Sequence, residues 1–525
     1  MSADAMEVTM DLAMADPLLA ESPSSSITNT ASSWTSLPVE IRQMILRLVC
    51  PPIPGRPHKG SPGFPKVARF AAVCQGWQVF FEACTFRRLV VDPDSIDEFD
   101  AVMKRDDTRL GYIRKLWLRV QLPKYDCPDC DKAEDHETGR RAIFTNCIRS
   151  LLETLKVWDP ERHGQKGLEL MVSASSPSDT EHRWNRCEVN NDYPFHYAED
   201  LDLQPSIFDY HREHVVKCHM NPRVHSHNIW PWPCETLERA HGTPLQLHPR
   251  RDERGRFTSQ VESLPAVPIV KGLVMRRQFR REIHVAALSW LLARSFVALE
   301  WFRLERTISA NTCTQYLFDK GFQSQVLPSL PETLRQFSFT EWKIPKVDRR
   351  SILVKVILAA RAALSLPRLE VMEFWGTRQR SQEVEESRAY IFRYTYEDGR
   401  ASIVWRSLPG DNKTSELRMI AKWSKVARTL HSTTLAYEAV PFTETKSQIA
   451  KSRGTCIYRH LRLKDLVFDP ITQIILENEP FGWDPVEKGS STQQGGGALN
   501  SSLASLSTMQ PGGGAMNPGS ANPDP

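Results

Sequence analysis

Few segments of this chain carry residue types that could do chemistry, and spacing decides between them. Cys127-Pro-Asp-Cys130 has the two-residue gap with which a structural zinc site grips one side of the metal, and His136 and Cys147 are further donors of the right kind. Such sites normally show two spaced pairs and this segment has one, so it reads as a loop, and no metal or cofactor is expected. From His211 to His248 seven histidines accompany Cys218 and Cys234, again without paired spacing. Pro222, Pro231, Pro233, Pro244 and Pro249 interrupt any helix or strand there, which makes a polar connection the simpler reading. Arg276, Arg277, Arg280 and Arg281 recur at helical spacing and could meet phosphate, but no aromatic platform is interleaved with them, so a solvated helix face is expected.

Catalytic signatures are missing. The chain has no Gly-x-x-x-x-Gly-Lys phosphate loop, no Gly-x-Ser-x-Gly elbow, no His-Glu-x-x-His helix and no dinucleotide glycine fingerprint, and its carboxylates form no evident pair. A non-enzyme is expected, with no catalytic residue to name.

The elements that must position any site follow from composition and pattern. The 525 residues are 41% hydrophobic and 25% charged, an ordinary globular balance, and a net charge of +4 creates no global field toward nucleic acid or an anionic surface. Neither is an expected partner. Eleven cysteines without regular spacing fit a reducing compartment, cytoplasmic or nuclear. The apolar stretch Val285 to Ala293 is far shorter than the roughly 20 residues a membrane span needs. Residues 1–33 are acidic and then rich in Ser and Thr, while 488–525 are rich in Gly, Ser and Asn, so both ends are expected to lack packed structure.

Between them, Pro38 and Glu40 fit the first turn of a helix in which Ile41, Met44, Ile45, Leu48 and Val49 form one apolar stripe, with Val39 and Leu46 off it. A second run packs Val67, Phe70, Ala71, Val73, Cys74, Trp77, Phe80 and Phe81 into fifteen residues, with Gly76 as the expected break between two short helices. So much apolar surface on so small a unit marks an interaction face. The pattern Leu37-Pro38-x-Glu40-Ile41 followed by Val73-Cys74-x-x-Trp77 resembles the F-box, although residues 51–65 form a Pro/Gly-rich insertion where that family commonly has a short turn. The resemblance implies a three-helix module at 34–90 that binds a Skp-type adaptor through Leu37, Pro38, Ile41, Ile45, Val73, Cys74 and Trp77.

The body, 91–487, is then the expected recognition part. Leu299-x-x-Phe302-x-Leu304, Leu334-x-x-Phe337-x-Phe339 and Leu369-x-x-Met372-x-Phe374 are spaced 35 residues apart twice over, each strand-like stretch leading into a helix candidate, the best at Asp348 to Ser365. Similar stretches at Arg114 to Val120, before a helix at Ala142 to Trp158, and at His460 to Phe468 extend the pattern. An irregular leucine-rich-repeat-like array of α+β or α/β class accounts for this, and an α/β domain with evenly placed strands would give the same spacing. Tyr390 to Ser407 reads as a hairpin inserted in the array and projecting from it. The function implied is a substrate-receptor subunit of a Skp-cullin-F-box type ubiquitin ligase, taking an unknown protein substrate on the C-terminal region. The alternatives are an F-box scaffold without a ubiquitin role and a nucleic-acid-associated protein using Arg276 to Arg281.

Overall fold

The computed structural model describes residues 34–49, 67–105, 107–123, 133–163, 167–176, 245–247, 264–276, 282–307, 312–342, 349–378, 388–408, 416–451 and 455–467. Both termini, Cys127, Cys130, the histidines from His211 to His248 and Arg277 to Arg281 lie outside the described residues, and with them the expectations placed there.

The described chain folds as a mixed α/β protein around one ten-stranded sheet whose spatial order is the chain order. Its strands are β1 (Arg88–Val91), β2 (Lys115–Gln121), β3 (Leu168–Ser175), β4 (Val270–Met275), β5 (Trp301–Thr307), β6 (Gln336–Trp342), β7 (Val371–Arg378), β8 (Arg388–Glu397), β9 (Arg400–Ser407) and β10 (Leu435–Pro441). Neighbours run parallel from β1 to β7 and again from β9 to β10, and only β8 is reversed. Before the sheet come helices α1 (Val39–Val49) and α2 (Gln75–Phe86). The crossovers carry α3 (Ile96–Arg105), α4 (Ala133–Leu155), α5 (Val285–Trp290), α6 (Thr312–Gly321), α7 (Arg349–Ala363) and α8 (Glu416–His431), and α9 (Lys446–Lys451) and α10 (Lys464–Val467) end the described chain. No helix among the described residues is long and apolar enough to cross a membrane.

The 35-residue spacing is the strand-to-strand period. Phe302, Phe337 and Met372 stand opposite one another on β5, β6 and β7, as do Leu304, Phe339 and Phe374. The preceding Leu299, Leu334 and Leu369 are buried at the strand entrances. There the backbone repeats one bond, Glu300 N–H to the Lys271 carbonyl, Arg335 N–H to that of Glu300, and Glu370 N–H to that of Arg335. Helix α7 buries Ile352, Val356, Ala359, Ala360 and Ala363, the face its spacing predicts, and Trp423 of α8 donates to the Val356 carbonyl at 3.2 Å. Residues of α3, α4, α5, α7 and α8 join the strands' Phe302, Phe337, Met372 and Phe392 in a single core, so these helices share one face of the sheet.

Four expectations need correction. The break in the second apolar run falls at Val73 and Cys74, not Gly76, because extended Cys74 is the N-cap of α2 and Gly76 lies in its first turn. β1 lies inside the 34–90 module boundary yet pairs with β2, so the module passes into the sheet with no linker. The hairpin does not project; β8 pairs with β7 from Arg388 to Thr395, and the turn at Asp398 and Gly399, both at positive φ, keeps it in the same sheet. His460 to Phe468 is not a strand, since its described part forms a 3-10 turn at Thr455–His460 and then α10.

One close approach tests the register. Gly272 on β4 sits beside Trp301 on β5, whose indole N–H crosses it to reach Glu169 of β3 at 3.3 Å. A Cβ on residue 272 would run into that indole. Gly272→Ala is expected to lower stability by about 1–3 kcal/mol, the usual cost of overpacking, read as a shift in the denaturant midpoint with unchanged slope.

Candidate functional site

Two surfaces stand out, an apolar face left open at the N-terminus and a sheet face closed by the C-terminal segment. On α1, Leu46 is the buried side chain, while Ile41, Met44 and Leu48, three and four residues apart, stand 41%, 57% and 84% exposed. Of the expected apolar stripe, these three residues point outward, while Ile45 and Val49 are half-buried. Val73, 58% exposed, and Cys74, also exposed, lie on the bend before α2.

The remaining expected adaptor-binding positions divide by burial. Pro38 is exposed, and Leu37, Ile45 and Trp77 are half-buried. Trp77 belongs to an aromatic cluster inside the module, its ring centroid 5.6 Å from both Trp34 and Phe81 and 6.3 Å from Phe70. Arg109 ties the module to the body through Glu82, at 2.8 and 3.3 Å. The resemblance assigns adaptor contact to Ile41 and Ile45, whereas Met44 and Leu48 are the more exposed members of the same stripe. Of the candidate metal donors, Cys147 is buried in the core on α4, where desolvation pushes its thiol up to about 11. Among the described residues no cluster of His, Cys, Asp and Glu is arranged to hold a metal ion.

The second surface is the sheet face opposite the helices. In register across β5, β6, β7 and β8 run Arg303, Ser338, Glu373 and Arg393. Charged groups beneath a covered surface need partners, because desolvating them unpaired is costly. The partners are backbone groups of residues 455–467, which cross this face. Glu373, fully buried, accepts the N–H groups of Arg462 at 3.1 Å and Leu463 at 3.2 Å and pairs with Arg393 Nε at 2.8 Å. Arg393 also donates to the His460 carbonyl, Arg303 donates to the Leu466 carbonyl at 2.7 Å, and Arg303 pairs with buried Glu305.

Apolar contacts accompany these bonds. Ile457, Tyr458, Leu461 and Val467 pack with Trp375 and Ile391 of β7 and β8, and Leu466 packs on Trp117, Met171 and Val274 of β2, β3 and β4. Sequence reasoning missed this cover. The available signal was a charged residue between apolar ones in Phe302-Arg303-Leu304 and Met372-Glu373-Phe374, on strands whose parallel pairing calls for apolar residues on both faces.

Beside the cover a cleft of about 840 Å³ opens along the strand entrances, lined by Arg335, Gln336, Glu370, Asp398 and Leu463 among others. Its charges largely satisfy one another. Arg335 pairs with Glu370, a bond that raises the Arg335 pKa, and Arg462 pairs with Glu397 at 3.1 Å. His431, stacked on Tyr396 at the cleft wall, has its pKa lowered by burial.

Glu373→Ala leaves two backbone N–H groups without their acceptor and Arg393 without its carboxylate, and removing one partner of a buried pair costs about 3–5 kcal/mol. The amides of Arg462 and Leu463 are expected to lose hydrogen-exchange protection while those of β6 and β7 keep theirs. Unchanged protection at both positions would show that Glu373 does not anchor the segment.

Comparison with known proteins gives one similarity. Residues 276–469 match a family of unknown function, DUF6546. No curated protein and no solved structure matches the chain. The matched region starts directly after β4 and ends just past α10, so the three 35-residue units, the hairpin and the covering segment fall within it and the N-terminal module does not.

Proposed function

We propose that this protein is the substrate-receptor subunit of a Skp-cullin-F-box type ubiquitin ligase, working in the cytoplasm or nucleus, with residues 34–87 as the F-box and the sheet-bearing body as the recognition part. The observation that carries this reading is the outward-facing Ile41, Met44 and Leu48 of α1, together with the exposed Val73 and Cys74 before α2. It lies in the segments whose residues resemble the F-box, on a module whose Trp34, Phe70, Trp77 and Phe81 pack on one another while Ile41, Met44 and Leu48 stay open.

An adaptor helix or groove laid on that stripe removes the apolar area from water, worth about 1.5–3 kcal/mol for each large side chain fully covered. On this reading the module's role is to hold the body at a fixed place in an assembly. The short path from α2 into β1 and the Arg109 to Glu82 contact support rigid presentation, because no free linker separates docking surface from body. For the body, strands in chain order with crossovers on one face favour the irregular leucine-rich-repeat-like array over an α/β domain with a reversed strand order.

The test is a direct two-component binding assay with a Skp-type adaptor. Met44→Asp with Leu48→Asp is expected to weaken binding by about a hundredfold or more, on roughly 1.5 kcal/mol for each covered side chain. Both residues are exposed, so the variant is expected to unfold at the wild-type temperature. Trp77→Ala, by contrast, opens the aromatic cluster and is expected to lower both stability and binding. If the wild-type chain shows no binding at micromolar concentration, the F-box reading fails.

A further inference from the structure

We infer that the outer face of α8, with the adjoining surface of α7, is a docking surface for an acidic polypeptide segment, and on the substrate-receptor reading above that segment belongs to the substrate. Elimination narrows the choice of surface first. One face of the sheet is occupied by helices and the other by residues 455–467, so the sheet itself presents no open face over β5 to β8. What the body offers a partner is its helix exteriors, its edges and the cleft, and the cleft's charges are mostly spent on one another.

On the helix exteriors the charge is uneven. Arg418, Lys422 and Lys425 follow one another at four and three residues along α8, all exposed, with Arg428 one further step on, and Arg361 is exposed on α7, the helix packed against it. Arg361, Arg418, Lys422 and Lys425 have no acidic partner among the described residues. Some other surface cations are paired, as in Lys104 with Asp100, Lys156 with Glu153, Arg162 with Asp107, Arg335 with Glu370 and Arg462 with Glu397, and others, such as Arg47, Arg294 and Lys320, have no acidic partner among the described residues; what distinguishes α8 is that its cations line up along one helix face. The only carboxylate of α8, Glu416, is buried and accepts from the Tyr437 hydroxyl at 2.6 Å. Like charges at i,i+3 and i,i+4 destabilise a helix unless something neutralises them, and among the described residues no acidic group does so.

The shape of the stripe selects among anionic partners. From Arg418 to Lys425 it runs about 10 Å along one helix, a length matched by two turns of an acidic helix or a few residues of extended acidic chain. A nucleic acid would want an aromatic platform, and the tryptophan of α8, Trp423, is buried beneath the helix. A lipid surface would want an apolar face to insert, and the apolar face of α8 is packed on α7 and the sheet. Leu417, 69% exposed next to Arg418, adds one apolar foothold, which fits a segment with an apolar residue beside its carboxylates.

The test uses the full chain and a fluorescently labelled poly-glutamate peptide of a dozen residues, followed by anisotropy at low and physiological salt. Lys422→Glu with Lys425→Glu is expected to weaken binding by about tenfold or more, with the wild-type affinity falling steeply as salt rises. Lys104→Glu with Lys156→Glu makes the same change in net charge at a distant place and is expected to leave affinity unchanged. Equal loss in both variants would mean that only the net charge matters, and no binding by the wild type at low salt would mean a solvated face; either result overturns the proposal. Tighter binding of a single-stranded oligonucleotide of equal length, lost in the α8 variant alone, would also overturn it in favour of a nucleic-acid surface. Adaptor binding by the α8 variant is expected to stay at the wild-type level, so a failure there strikes the F-box reading and not this surface.

Discussion

Right-handed crossover governs this structure. A parallel connection in one sheet is nearly always right-handed, so strands added always on the same side place every crossover on the same face. The strand order here is the chain order, and the helices from α3 to α8 accordingly share one core. A doubly wound sheet escapes the constraint by reversing its order part-way and covering both faces with helices. This chain does not reverse its order, so its second face has to be covered by other means.

The cover is a segment of two short helical turns, held through its backbone. Glu373 receives two N–H groups, and Arg303 and Arg393 donate to carbonyls, so the sheet recognises the path of the chain more than its side chains. Such contacts fix register: a slip of one residue along the segment would face Glu373 with groups it cannot bond. Buried ionic groups are a weak source of net stability but an attested device for specifying one arrangement. Apolar packing of Ile457, Tyr458 and Val467 supplies the attraction, and the polar row supplies the alignment.

What could be read in the sequence was what repeats. The 35-residue recurrence of Leu, Phe and Met placed three neighbouring strands in their observed register, because each unit solves the same packing problem. Helix α7 was legible for the same reason, since one face of a helix leaves a local period. The cover was not legible. His460 to Phe468 carries apolar residues like those of a strand, and nothing local distinguishes pairing in a sheet from lying across one. The projecting hairpin failed for a related reason: alternation shows that Tyr390 to Ser407 pairs with itself, but not that its first strand also pairs with β7. In the N-terminal module the stripe was legible, but which members stand furthest out, Met44 and Leu48, depends on how α1 sits and not on its period.

The distance in sequence between the two ends of the Arg303 to Leu466 bond, 163 residues, bears on the order of events as the chain folds. Each strand from β1 to β10 joins the one that precedes it, so sheet growth can follow synthesis from the N-terminal end, each new unit finding its template already present. Among the described residues it is the covering segment that reaches back across finished strands, and it leaves the ribosome after all of them. Until then Arg303, Glu305 and Glu373 remain hydrated, and the unfinished sheet exposes a charged row instead of a continuous apolar one. Trp117, Met171, Val274, Trp375 and Ile391 lie on the same face, so closing it is the last step that takes both the charged row and its apolar neighbours out of water.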